Sequence, residues 1–376
     1  MFDVISGIFS TPTPTYTADT ASKMTILKAV KSISKNRLAT YRARFDVNTD
    51  EKSLGIYMWN KKLCGVFLPV LQLLEVSLRN AIHEGYLEYQ KKQLLIENPD
   101  RTDLEQMLDR EWFKTFFFNN STAYPESYNH IVQAERALAS KHKPRDIDNI
   151  ISKLPFGFWA NLTSKKHDAG QADSLELWPT IRKEVFPGAL RGGAMISKKE
   201  IQDTIFDIND IRNRIAHHEP IWHAKHLFGQ PAFSNKLIRD FGKCLEVIGW
   251  INPSNLKTIK LMESCSEFSN LCNEQTIAHY MNITNNFSDT DPIDPQGWIA
   301  ANLQEDRHNG EVVNVGNKII IKSNLNNKRF TFDIYKGANP RGLVLNVGQK
   351  VNFRPGRAIG NGKEVLLARS TSLGHI

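Results

Sequence analysis

The sequence predicts a mainly α-helical protein that ends in a small all-β module. Three observations carry this expectation. Apolar residues recur at three- and four-residue steps from about Ala21 to Tyr280, the period of amphipathic helices. Around "NNFSDTDPIDPQGW" the chain turns polar and proline-containing, the composition of a linker. Beyond it, "KIIIKS", "RFTFDIY", "LVLNVGQKVNF" and "EVLLARS" are short β-branched or aromatic runs parted by Asn, Gly and Pro, as in a small barrel or sheet. The expected division is a loose tail at 1–20, a helical domain at 21–285, a linker at 286–308 and a β module at 309–376.

Each element has a local reason. Thr, Ser and Pro crowd the first twenty residues, which suits an unpacked terminus. Helices are expected at 24–45, 52–60, 62–92, 101–118, 126–140, 145–153, 174–185, 198–218, 233–249 and 254–281. Pro144, Pro155, Pro179, Pro187, Pro220 and Pro253 punctuate them, since proline lacks the amide a helix interior needs. The most apolar stretch, "LCGVFLPVLQLLEVSL", is too short to span a membrane and contains Pro69, Gln72 and Glu75, so it reads as a buried helix. "PGALRGGAM" is glycine-rich but lacks the lysine and spacing of a phosphate-binding loop.

Composition narrows the function classes. Apolar residues at 41% and charged residues at 23% exclude a disordered chain. Cys64, Cys244, Cys265 and Cys272 have neither the number of a disulfide framework nor paired zinc spacing, so reduced thiols are expected. The opening residues lack the basic start and unbroken apolar run of a secretory signal, and a cytoplasmic location is expected. Residues 311–376 hold 11 Lys and Arg against 3 Asp and Glu, which equals the whole chain's net charge of +8. A polyanionic partner is one reading of that excess, and solubility of a small basic domain is the other.

Two clusters interrupt otherwise apolar helices. In "NDIRNRIAHHEPIW", Ile201, Ile205, Ile208, Ile211 and Ile215 form the core stripe. Asn209, Asn213 and His217 form a neighbouring ridge at steps of four. Arg212 lies between them beside small Ala216, and His218 falls on the far side. In "LLEVSLRNAIHEGY", Glu75, Arg79 and His83 are likewise four apart, with Asn80 next to Arg79. Polar groups this close to a core need partners. One reading is an ion pair and favourable helix-end histidines; the other is a site. An imidazole exchanges protons near neutral pH and a guanidinium grips phosphate with paired donors. Together they suit attack by a ribose 2′-hydroxyl on its adjacent phosphate, a reaction of RNA that requires no metal or other cofactor from this constellation.

"RNRIAH", Arg212 to His217, resembles the Arg-polar-x-x-x-His signature of HEPN ribonucleases. The pair "LRNAIH" and "RNRIAHHEPIW", preceded by "LGIYMWNKKLCGVFLPVLQLLEVSLRNAIH", resembles Abi-like (AbiD/AbiF type) abortive-infection proteins over residues 30–250. The resemblance implies a HEPN-like helical bundle and a metal-independent endoribonuclease in phage defence, acting as a homodimer. By position it makes Arg212 and His217 catalytic and Asn213 supporting. Glu75, Arg79, Asn80, His83 and His218 form a second or supporting set whose spacing departs from the signature. The resemblance also admits a structured noncoding RNA as partner.

The β module loosely resembles a cold-shock or OB-type domain, whose aromatic residues stack nucleobases beside basic side chains. Candidate RNA contacts are Lys318, Lys322, Lys328, Arg329, Phe330, Phe332, Arg341, Arg354 and Arg357. At least one of the two phenylalanines is also needed to fill a barrel core. Two rival readings stand beside the nuclease: a non-catalytic protein that holds a structured RNA, and a helical scaffold whose histidines belong to its core.

Overall fold

The computed structural model of the chain describes residues 18–222, 230–285, 287, 290–302, 307–332, 343–360 and 363–373. It divides into two compact units, Met1–Thr290 and Asp291–Ile376, the first helical and the second holding a β-sheet. Residues 1–17 of the expected tail lie outside the described residues, and a helix begins at Ala18.

The helical unit is organised on one helix of 48 residues, Asp50–Glu97, where the sequence pattern suggested two. No breaker separates Trp59 from Leu63, and both are buried on one continuous stripe. Thr49 caps the helix by accepting from the Lys52 amide at 3.2 Å, and Asp50 and Glu51 sit in the first turn against the dipole's positive end. Pro69 lies inside it and costs about 3 kcal/mol in an ordinary helix interior. Phe67, Val70, Leu71, Leu74 and Leu78 surround it, each 0–3% exposed. Burying each stabilises by about 1.5–3 kcal/mol, so packing outweighs the missing bond.

Helices Lys35–Phe45, Lys198–Ala216, Gln230–Ile251, Ser264–Leu271 and Glu274–Ile283 pack on this element. Several sit differently from the sequence expectation. The 24–45 helix divides at Ser34, whose φ is 88°, into Ala18–Ile33 and Lys35–Phe45. Residues 101–118 form two short helices, Leu104–Met107 and Trp112–Asn119. Residues 254–281 form Asn255–Leu261, Ser264–Leu271 and Glu274–Ile283, with Glu263 left-handed at φ 57° between the first two. Of 174–185 only Arg182–Val185 is helical, since Pro179 withholds an amide from the preceding turn. Helix Phe156–Leu162 was not anticipated; it follows Pro155 and buries Phe156, Phe158 and Trp159.

The glycine-rich loop is a hairpin of β1 (Leu190–Arg191) and β2 (Ala194–Met195). Gly192 and Gly193, at φ 59° and 80°, supply the two left-handed residues that such a two-residue turn demands.

In the second unit, residues 295–302 of the expected linker form a helix, Pro295–Asn302. Five strands follow: β3 (His308–Asn314), β4 (Ile320–Ser323), β5 (Arg329–Phe332), β6 (Lys350–Gly360) and β7 (Lys363–Leu373). They pair in the order β3-β4-β5-β7-β6, and β3 also pairs with β6, so the sheet closes on itself. All pairs are antiparallel except β5 with β7. Val312, Ile321, Phe330, Phe332, Val351, Phe353 and Ala368 fill the interior. β3 is missing from the strands expected of the sequence: Val312 and Val313 are its only β-branched residues, and His308, Asn309 and Gly310 open it. Gly310 is needed there: a Cβ would stand 2.6 Å from the Lys322 carbonyl oxygen.

Candidate functional site

The isoleucine stripe of Lys198–Ala216 lies where its period placed it. Ile201, Ile205, Ile208 and Ile211 are buried, and Ile215 packs against the edge of the same core. Ser197 caps the start by accepting from the Glu200 amide at 3.1 Å. At the other end His217 is the C-cap, His218 is left-handed at φ 60°, and the Glu219 amide donates to the Arg214 carbonyl at 2.8 Å. After Pro220, Ile221 and Trp222 plunge into the core, where Trp222 meets Tyr41 and Phe45 edge-on at 5.4 and 5.1 Å. Both ends of the helix are therefore fixed, and its last turn is held against the long helix.

That docking brings part of the two clusters together. Arg212 Nε lies 3.9 Å from Glu75 Oε2 across the interface. A groove of about 340 Å³ opens there, lined by Glu75, Arg79, Arg212, Ile215 and Ala216 with the apolar Leu68 and Val76. Glu75 faces two guanidiniums. Burial raises its pKa, and the nearby charges of Arg212 and then Arg79 only partly offset this. Arg79 Nε is buried without a hydrogen-bond partner among the described residues. His217 is exposed, next in the chain to groove-lining Ala216, while Asn213 is half-buried. Among the described residues, neither the Asn213 amide nor the His217 imidazole hydrogen-bonds to another side chain or to the backbone.

His83 does not join this groove. It is 3% exposed, accepts from Trp112 Nε1 through Nδ1 at 3.1 Å, and stacks on the same indole. Burial first, then the charge of Arg110, pushes its pKa down to about 4, with Asp148 opposing. Since Nδ1 accepts, the neutral ring carries its proton on Nε2, which is buried without a partner. The row of Glu75, Arg79 and His83 divides: helix Trp112–Asn119 covers the turn that carries His83 and leaves the preceding turns open. Asn80 is exposed outside the groove. His218 takes part through its backbone, its carbonyl accepting from Arg37 Nη1 at 2.8 Å and Lys61 Nζ at 3.4 Å.

Three residues went unnoticed in the sequence. Arg37 and Lys61 hold the His218 carbonyl, and burial, reinforced by Arg37, lowers the Lys61 pKa even though Cys64 opposes it. Buried Asn60 accepts from the Ile221 amide through Oδ1 at 3.3 Å. An amide inside the apolar "YMWNKKLC" was the available signal; exposed Arg37 carried none.

A family model described as Abi-like protein matches residues 28–223. The chain belongs to that family. The match begins within the helix Ala18–Ile33 and runs past Trp222, so it spans both clusters and the anchor that follows them. Family membership points to abortive-infection defence as the setting of this Abi-like chain. No curated protein and no solved structure matches it. Among the described residues, no helix is long and apolar enough to cross a membrane.

In the β unit, Lys318, Lys322, Lys328, Arg329, Arg354 and Arg357 are exposed, and Arg341 lies outside the described residues. Lys322 and Arg329 are register partners on β4 and β5, so two cations stand side by side. Phe330 and Phe332, expected to stack bases, are 3% and 6% exposed and fill the interior. Strand alternation points both inward, because they are two apart.

Proposed function

We propose that this Abi-like chain is a metal-independent endoribonuclease of HEPN type, acting as a homodimer in abortive-infection defence. The observation that carries the reading is Arg212 turned over an open groove at the helix end where His217 is exposed. Its ion pair with Glu75 is long at 3.9 Å, so an RNA phosphate can compete for the guanidinium. In the reaction the ribose 2′-oxygen forms a bond to phosphorus as the bond to the 5′-oxygen breaks. The 2′-proton passes to a base and the departing oxygen takes a proton from an acid. The His217 imidazole supplies one of these transfers, and the symmetry-related residue of a second copy supplies the other. Arg212 offsets the charge that builds on the phosphate, and Asn213 orients phosphate or imidazole.

The closed five-stranded arrangement, with its third strand parallel to its fifth, supports the likeness of the β unit to OB-type domains. Its exposed cations suit an RNA backbone, which makes RNA substrate and partner alike.

The test is incubation of the purified chain with mixed RNA, with and without EDTA, beside Arg212→Ala and His217→Ala. Chelator-resistant cleavage to cyclic-phosphate ends, lost in both folded variants, is expected. Equal cleavage by wild type and both variants would overturn the assignment.

A further inference from the structure

A second cavity, of about 400 Å³, opens beside the Pro125–Ala139 helix and shares no lining residue with the Arg212 groove. The start of that helix forms part of its wall. Tyr124 is the N-cap and no side chain caps the turn; Pro125 has no amide, and those of Glu126 and Ser127 have no partner among the described residues. Such a helix end attracts an anion.

An independent observation points into the same space. His167 lines the cavity, is 2% exposed and packs among Phe116, Phe117 and Tyr124. Among the described residues neither ring nitrogen has a hydrogen-bond partner, and Nδ1 is fully buried. Burial, and then the charges of Lys166 and Lys198, push its pKa down to about 4, against the pull of Asp168, so near neutrality the ring is uncharged with one N–H to donate. A buried polar group without a partner is costly unless something else satisfies it.

The remaining walls define the ligand. Lys166 at the rim, the Ser164 hydroxyl and the Asn161 amide add donors, with Glu126 the carboxylate among the lining residues. Tyr124 presents a ring held by its hydroxyl bond to the Asp173 carbonyl at 2.7 Å, and Phe206 presents another. Anion donors and two half-buried aromatic rings line the same cavity, a combination that matches a phosphate joined to a flat heterocycle. We propose that this cavity binds a mononucleotide, its phosphate on the Glu126 and Ser127 amides and Lys166, its base against Tyr124 and Phe206. The cavity volume lies within the range of small-ligand sites.

Calorimetric titration of the full chain with the four ribonucleoside monophosphates, the free nucleosides and inorganic phosphate tests this. At least one monophosphate should bind, and more tightly than either its nucleoside or phosphate alone. Lys166→Ala should weaken it by about tenfold, the worth of one charge-assisted hydrogen bond. Phe206→Ala should erase the preference for nucleotide over phosphate, with melting curves confirming folded variants. Arg212→Ala should leave this binding unchanged, which separates the cavity from the RNA-cleaving reading. Absence of binding by every monophosphate at millimolar concentration would overturn the proposal. So would binding that survives both Lys166→Ala and Phe206→Ala, or that Arg212→Ala abolishes.

Discussion

His83 and His217 each follow an Arg-Asn pair on a helix, yet the fold puts them to opposite uses. His83 is sealed against Trp112 and held neutral, while His217 closes its helix in solvent. Glu75 and Arg79, about two turns and one turn before His83, lie open to the groove instead. Residue type and spacing are nearly alike in the two clusters. The difference is what covers each turn, so identical side chains become a core element in one place and a reactive group in the other.

The comparison breaks most decisively in activity. His217→Ala and Arg212→Ala should each lower RNA cleavage by about 10²-fold or more, the usual worth of a proton-transfer or charge-stabilising group, with melting temperature nearly unchanged. His83→Ala should do the reverse. It strands the Trp112 indole and leaves a void, costing about 2–4 kcal/mol in urea unfolding. Cleavage per folded molecule should persist; an inactive, fully stable His83→Ala would erase the distinction drawn between the histidines.

Trp222→Ala tests stability and cleavage together. Losing a buried indole costs about 3–5 kcal/mol and releases the segment that fixes His217, so stability and cleavage should fall together. A stable variant of full activity would show that the anchor does not position the site.

A pH series sharpens the contrast further. His83 and His167 have folded pKa values near 4, below the ordinary histidine value of about 6.5. Between those pH values the unfolded chain binds protons that the folded chain refuses, so stability is full above about 6.5 and lost as pH falls toward 4. Each histidine contributes up to about 3 kcal/mol over that window. Urea midpoints measured from pH 7 to 4 should drop steeply, and less so in His83→Phe.

The smallest effect belongs to Glu75→Gln. Its ion pair is long and partly exposed, so stability should change by less than about 1 kcal/mol. Freed of its carboxylate, Arg212 should hold RNA more tightly, which a filter-binding titration would register.

Much of the helical unit was legible because burial has a period. The isoleucines of Lys198–Ala216 and the leucines of the long helix announced a core face, and Arg212 stood out against it. Boundaries were less legible. Continuous packing carries Asp50–Glu97 through Pro69, whereas Ser34 and Glu263 break helices with backbone angles that no residue pattern announces. In the β unit the alternation was visible, but whether Phe330 and Phe332 faced inward depended on which face the closing sheet enclosed.

The sequence by itself determined the helical and β halves, the apolar faces and the groups able to exchange a proton or grip a phosphate, because these follow from side-chain chemistry and local repeat. Tertiary structure alone decided that Arg212 meets Glu75, that helix Trp112–Asn119 covers His83, and that Asn60, Arg37 and Lys61 secure the turn after His217. Those contacts join residues far apart in the chain. No local periodicity encodes them, and only close packing of whole helices chooses among the pairings that local chemistry allows.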